Sequence, residues 1–446
     1  MPVDLVLHNA KIYTTKGLAT AHIAIDNGKI FKIAKTNLPK SSTKLNLKGN
    51  LVLPGLIDSH VHLRDQLLAY KEDFFSGTAA AAAGGVTSVM DMPNNNPITM
   101  DSKSLRERMS QAKNRIFVNV AFYSTFPKNT KKPPLVVKEG AIAFKLYLSK
   151  KIGDLNINDD ESLSHAFEKA MEMNIPFAVH AEDRGMLEQG KEEMKRAGKD
   201  DIEAYIKVHS PNAEEKAISR VTRLARRSGA PIHFCHLSSL AGLQALSKAR
   251  TTSLSITCEV TPHHLLLSSR DLKHHKTCAL TDPPLRSRKD TETLWSALKL
   301  GSIDTIASDH APHTIEEKKA ESVWDAKPGI PGLETTLPLL LTQVNEKRLT
   351  IQELIRLTSE KPATIFHLRD RGHLEEGYRA DLAVVDMKQE HKINPSQFFS
   401  KAKYSPFDGW KVKGKLLKTF VNGHLAYDDG EMVSKPGTGQ IIRCVR

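Results

Sequence analysis

Between Pro54 and His367, short apolar segments rich in β-branched residues alternate with helical ones, and this alternation restricts the fold more than any other feature. Strands are expected at 86–90, 141–147, 176–179, 231–235 and 305–308, with helices between them such as 213–228 and 290–300. Repeated β-then-α units imply a parallel sheet covered by helices, and a region of this length suits a (β/α)8 TIM barrel. The small-residue run Gly77-Thr78-Ala79-Ala80-Ala81-Ala82-Ala83-Gly84-Gly85 is expected to be a tightly packed helix closed by a glycine. No internal repeat or low-complexity tract interrupts the pattern.

Both ends of the chain have a different texture. Residues 5–13 and 21–25 read as strands around the hairpin signal Asp26-Asn27-Gly28-Lys29, and strand texture returns at 380–386 and 417–425, with a second Asn-Gly turn. The simplest joining is one small β-sandwich built from residues 1–53 and 368–446, flanking a barrel of residues 54–367. A chain of 446 residues is long enough for one large and one smaller domain.

Composition excludes several classes. Hydrophobic content of 40% and charged content of 26% are ordinary for a globular protein, and no apolar run approaches the roughly 20 residues of a membrane span. The N-terminus lacks the basic start and apolar stretch of a secretory signal. Four cysteines, Cys235, Cys258, Cys278 and Cys444, show no CxxC spacing, so reduced thiols and a cytoplasmic location are expected. The net charge of +13 is spread along the chain without interleaved aromatics. It reads as solvated surface that also attracts an anionic metabolite, and neither nucleic acid nor a membrane is an expected partner.

Chemistry enters at Asp58-Ser59-His60-Val61-His62-Leu63-Arg64, which follows the apolar run 51–57. Residues two apart on a strand share a face, so His60 and His62 present two imidazoles side by side, as a borderline metal requires. Further polar residues fall at expected strand ends: Lys145 within an apolar run, His180, His236 and Asp309. Barrel enzymes carry their catalytic groups at such ends. Four histidines and one aspartate provide too little negative charge for two divalent ions. A carbamate formed from carbon dioxide on Lys145 would supply it.

With these motifs in place, the chain resembles the amidohydrolase superfamily and, within it, the dihydroorotases of de novo pyrimidine synthesis. The resemblance runs over nearly the full length. It rests on His60-Val61-His62-Leu63-Arg64, Asp91-Met92-Pro93-Asn94, Phe144-Lys145-Leu146-Tyr147, Pro283-Pro284-Leu285-Arg286, Ser308-Asp309-His310-Ala311-Pro312-His313 and Gly329-Ile330-Pro331-Gly332-Leu333-Glu334-Thr335. It implies two zinc ions per subunit. His60 and His62 would hold the more buried ion, carboxylated Lys145 would bridge to a second on His180 and His236, and Asp309 would bind beside a bridging hydroxide. The implied reaction is reversible closure of N-carbamoyl-L-aspartate to L-dihydroorotate, with Asp309 as general base and then acid. Arg64 and Asn94 match contacts to the substrate α-carboxylate, and His313 matches a third contact. A homodimer and an association with aspartate transcarbamoylase are among the partners the resemblance allows.

Two departures stand out. The Arg64 motif continues as Asp65-Gln66-Leu67 rather than with an acidic residue and Pro-Gly, and Asp282 stands where many dihydroorotases carry asparagine. An ionised aspartate accepts hydrogen bonds only, and Asp282 can still take a ring N–H. The alternative function is an allantoinase or hydantoinase on the same scaffold, and a third is a non-catalytic scaffold relative. Cys235 is expected to point away from the pore, so that a further metal on Cys235 and Glu259 is not expected. His263 and His264 are expected to be structural or to support the ligands, His310 to orient its loop, and His8, His22 and His209 to be ordinary.

Overall fold

Eight short strands follow one another around a parallel sheet in sequence order: β1 (Leu56–Val61), β2 (Val86–Asp91), β3 (Asn119–Thr125), β4 (Ala143–Tyr147), β5 (Phe177–His180), β6 (Ile232–Phe234), β7 (Ile256–Val260) and β8 (Thr305–Ile306). The computed structural model describes residues 2–14, 17–129, 131–251 and 255–443, so Cys444 lies outside the described residues. The barrel closes between β1 and the segment after β8. Val61 bridges His310 in parallel, the His62 N–H donates to the His310 carbonyl at 2.8 Å, and the Ser308 N–H donates to the Asp58 carboxylate at 3.1 Å. Closure brings the ends of β1 and β8, some 250 residues apart in sequence, into one site.

Strands β3 and β7 were not among the expected ones. Both carry polar residues that dilute the apolar pattern, yet these are satisfied inside the barrel: Asn119 donates to the Thr87 carbonyl at 3.0 Å, and Glu259 receives several donors described below. The small-residue run forms helix Phe74–Ala83, opened by Asp73 accepting the Ser76 N–H at 2.8 Å. It ends at Gly84 and Gly85, the latter in the left-handed region with φ of 74°. A Cβ on Gly84 would lie 2.1 Å from the Leu333 carbonyl oxygen, which explains the need for glycine where this helix meets helix Leu333–Asn345. Among the described residues no helix is long and apolar enough to cross a membrane.

The chain ends build a mixed sheet of nine strands, joined where Leu51–Pro54 pairs antiparallel with Leu382–Lys392 and parallel with Val3–Thr14. Asn27 and Gly28, with φ of 50° and 73°, form the expected left-handed hairpin turn between Gly17–Asp26 and Lys29–Ala34. Strand alternation sends side chains to two cores. Val52, Leu382 and Val384 pack with Ile12, Ile23 and Phe420 inside the terminal sheet, whereas Leu51, Leu53, Ala383 and Val385 join the barrel core. The same strands therefore tie the sheet to the barrel.

Candidate metal centre and active site

His60 and His62 emerge at the end of β1, and Asp309 follows β8 in the left-handed region with φ of 46°. The Nε2 atoms of both histidines lie 3.3 Å from Oδ1 of Asp309, and all three side chains are largely withdrawn from solvent. Burial lowers the pKa of His60, with Lys145 adding to the effect, and burial together with Arg64 lowers that of His62 well below the ordinary value. Both imidazoles are thus held neutral, the form that binds metal. Burial raises Asp309, against the pull of His60 and Lys145.

Hydrogen bonds on the far side of each ring fix which nitrogen carries the lone pair. His60 Nδ1 pairs closely with Oε1 of Glu259. Glu259 also accepts from His233 Nε2 at 3.1 Å, Ser59 Oγ at 3.2 Å and the His236 N–H at 3.2 Å. Burial would raise this carboxyl, but the adjacent His60 and the bond from His233 hold it well below the usual range. His62 Nδ1 donates to Asn94 Oδ1 at 2.7 Å. Both Nε2 lone pairs therefore face Asp309, so that two imidazole nitrogens and a carboxylate oxygen converge on one point. That donor set fits a cation, and carboxylate-backed imidazole is the usual support for one.

A second pair lies beside it. His180 ends β5 and His236 follows β6, with His180 Nδ1 3.0 Å from His236 Nε2. Lys145 in β4 is 2% exposed, and its Nζ lies 3.3 Å from His60 Nε2 and 3.0 Å from Cys235 Sγ. Among the described residues this amine forms no ion pair. Cys235 does not point away from the pore as expected. β6 ends at Phe234, and His236 takes a φ of 37°, so strand alternation fails there and both residues face the centre. Burial raises the Cys235 thiol, and the oxygens of neighbouring Glu259 are already engaged as described.

A cavity of about 170 Å³ opens over this centre, lined by Arg64, Asn94, Tyr147, Lys150, Asp282 and His313 among others. Arg64 is buried, with φ of 54°, and reaches the pocket through this left-handed turn rather than by strand alternation. Its Nε donates to the Pro312 carbonyl at 3.3 Å and its Nη2 to His313 Nε2 at 3.1 Å. His313 Nδ1 in turn donates to Glu317 at 3.1 Å, and burial with the nearby Arg64 keeps the imidazole neutral. Glu317 also pairs with Lys71 at 2.7 Å. Across the pocket, Asp282 lies 3.6 Å from Lys150 and 3.3 Å from His209.

His209 is not ordinary. Its ring stacks on Tyr205 with centroids 4.2 Å apart, and Nδ1 lies 3.1 Å from Glu182, which also faces His180 Nε2 at 3.1 Å. Burial lowers its pKa, but the Glu182 charge outweighs this and the net shift is upward. No ligand spacing in the sequence signals His209 or Glu182, because they meet only through the fold. His310 holds its loop as expected, with Nδ1 accepting the Gly332 N–H at 3.1 Å. His264 bonds to Thr261 at 2.8 Å and faces the Pro283 carbonyl at 3.3 Å, beside Asp282. His263 is buried, and His8 and His22 contact each other in the terminal sheet.

Comparison with known proteins agrees with this architecture. The amidohydrolase family model matches residues 51–426. The chain is 36% identical over 441 residues to a dihydroorotase of Methanothermobacter thermautotrophicus, covering 98% of this chain and 97% of that protein. It is likewise 36% identical over 442 residues to a dihydroorotase of Pyrococcus horikoshii, covering 99% and 96%. Among solved structures, the L-hydantoinase (dihydropyrimidinase) from Arthrobacter aurescens matches with a TM-score of 0.95 at 31% identity, covering 99% of this chain and all of that one. A dihydropyrimidinase from Brevibacillus agri, at 23% identity and a TM-score of 0.89, shares the fold. Matched along most of its length by the family model and along nearly all of it by these relatives, the chain belongs to the amidohydrolase family.

Proposed function

We propose that this protein is a dihydroorotase, closing N-carbamoyl-L-aspartate to L-dihydroorotate and opening it again. The observation that carries the reading within the family is Arg64, a buried guanidinium with no carboxylate partner among the described residues, placed beside the metal-ligand cluster. A buried cation without an anion is costly, and a substrate carboxylate would complete it with two parallel hydrogen bonds. The full-length likeness to dihydroorotases supports the same substrate class.

In this reading His60, His62 and Asp309 would hold one zinc ion and His180 and His236 a second, and Lys145, as a carbamate, would supply the negative charge that the histidines lack. The lone pairs converging on Asp309 and the buried Lys145 amine, which has no carboxylate in ion-pair reach among the described residues, support this set. When bound, the ions supply Lewis acidity toward the scissile carbonyl and lower the pKa of water. Arg64 and His313 bind the substrate carboxylate, with Glu317 keeping His313 in the tautomer described. Asn94 holds the His62 ring at the pocket wall, and Asp282 accepts the ring N–H. In the opening direction an O–C bond forms and the C–N bond breaks. Asp309 takes the proton from the attacking water on its carboxylate and returns it to the departing nitrogen.

The likeness to L-hydantoinase keeps a second reading, turnover of neutral cyclic amides. A panel of dihydroorotate, allantoin and hydantoin on metal-loaded protein tests the two. Fast turnover of dihydroorotate alone is expected, and preference for either neutral ring would overturn the assignment.

A further inference from the structure

The sequence Thr314-Ile315-Glu316-Glu317-Lys318 follows the pocket residue His313 and forms one short helix, Ile315–Lys318. Lys318 at its end is fully buried. Among the described residues its ammonium has no carboxylate within ion-pair reach. Instead it donates to three backbone carbonyls: Leu280 at 3.0 Å, Lys327 at 2.9 Å and Gly329 at 2.8 Å. An ammonium has three N–H groups, so this cradle satisfies each of them, and a neutral amine would leave one carbonyl facing a lone pair.

The three carbonyls belong to two walls of the substrate cavity. Lys327, Pro328 and Gly329 line it on one side, and Leu280 lies two residues before Asp282 on the other. The two segments also meet directly, where the Gly329 N–H donates to the Leu280 carbonyl at 2.8 Å. Gly329 has no freedom to carry a side chain that would brace it, since its φ is 134° and a Cβ would lie 2.4 Å from the Ala311 carbonyl. Besides backbone bonds, the Tyr404 hydroxyl donates to the Gly329 carbonyl at 3.4 Å, and the Lys318 ammonium joins this wall to the Asp282 segment. Through the preceding Glu317, the same short helix also holds His313 and Lys71.

We infer that Lys318 is a positioning residue that sets substrate affinity by clamping residues 327–329 to residues 280–282. Lys318 does not line the cavity, and its ammonium bonds only the carbonyls named above. The inference rests on the reading of the cavity as the substrate site, and it distinguishes Lys318 from a lysine that merely supports the fold. Loss of the clamp loosens the cavity walls and leaves the metal centre intact.

The test compares metal-loaded wild type with Lys318→Met and Lys318→Arg. The arginine variant keeps the charge, yet a planar guanidinium cannot direct its N–H groups at three carbonyls converging on one point. It therefore reports on the clamp should the methionine variant fail to fold. The expected result is a rise in KM of about tenfold or more, with kcat within about threefold of wild type and metal content unchanged. KM within about twofold of wild type in folded variants would overturn the inference, as would a fall in metal content and kcat with KM unmoved. Wild type is assayed first on the three-substrate panel. A wild type inactive on dihydroorotate refutes the proposed function, and the Lys318 comparison is then made on whichever ring it does open.

Discussion

His62 Nδ1 and Asn94 Oδ1 lie 2.7 Å apart, so the asparagine that sequence resemblance matches to a substrate contact is also the group that orients a candidate metal-ligand histidine. The bond directs the His62 lone pair at Asp309. Asn94→Ala is therefore expected to weaken metal affinity by about 10–100-fold as well as raising KM. Competition with a chelator measures it. Unchanged metal affinity with raised KM would leave Asn94 a substrate contact alone.

Lys145→Ala is expected to abolish turnover and reduce the metal retained after dialysis, because the buried amine beside His60 is the group proposed to carry the carbamate. Metal analysis alongside a kcat assay decides this. Near-normal turnover would remove the carbamate from the proposal.

Arg64→Met should lower kcat/KM on dihydroorotate by about 100-fold or more while costing neutral cyclic amides far less, since a charge-assisted pair is lost only for the acidic substrate. Equal losses on both substrate types would show that Arg64 shapes the pocket without recognising a carboxylate.

Glu334 provides a pH signature distant from the metal ligands. Burial raises its pKa from 4.5 to about 8, against hydrogen bonds from the Phe399 and Ser400 N–H groups and with Glu72 adding to the rise. A raised folded-state value means that the folded protein binds the extra proton. The contribution to stability is complete below about 4.5 and is lost as pH rises through about 8. Thermal unfolding of metal-loaded protein between about pH 5 and 8 should show wild type losing Tm more steeply than Glu334→Gln. Parallel slopes would mean that Glu334 is ionised throughout.

Gly84→Ala should destabilise the fold by about 1–3 kcal/mol, because the added methyl must displace the Leu333 backbone. Denaturant midpoints would show it, and an unchanged midpoint would indicate that the helix beginning at Leu333 shifts without strain.

Much of this architecture was legible in the sequence. Strand texture at 86–90 and 176–179 lies within β2 and β5 or one residue from them, and the Asn27-Gly28 signal produced its turn, because local propensity and burial agree there. β3 and β7 are not legible in the sequence because residues such as Asn119 and Glu259 look unfit for a core until their partners are known. The orientation of Cys235 differs from the sequence expectation because alternation holds only while the strand continues, and it ends one residue earlier.

By itself the sequence determined the family, the barrel and the identities of His60, His62, Lys145, His180, His236 and Asp309 as candidates, since each carries its chemistry in its own type and local setting. Only tertiary structure decided which lone pairs face one another, that Glu259 and Asn94 support the histidines, that His209 joins Asp282, and that Lys318 holds two walls together. Such relationships depend on closing a parallel barrel, which brings together strand ends up to some 250 residues apart, and local sequence carries no trace of that distance.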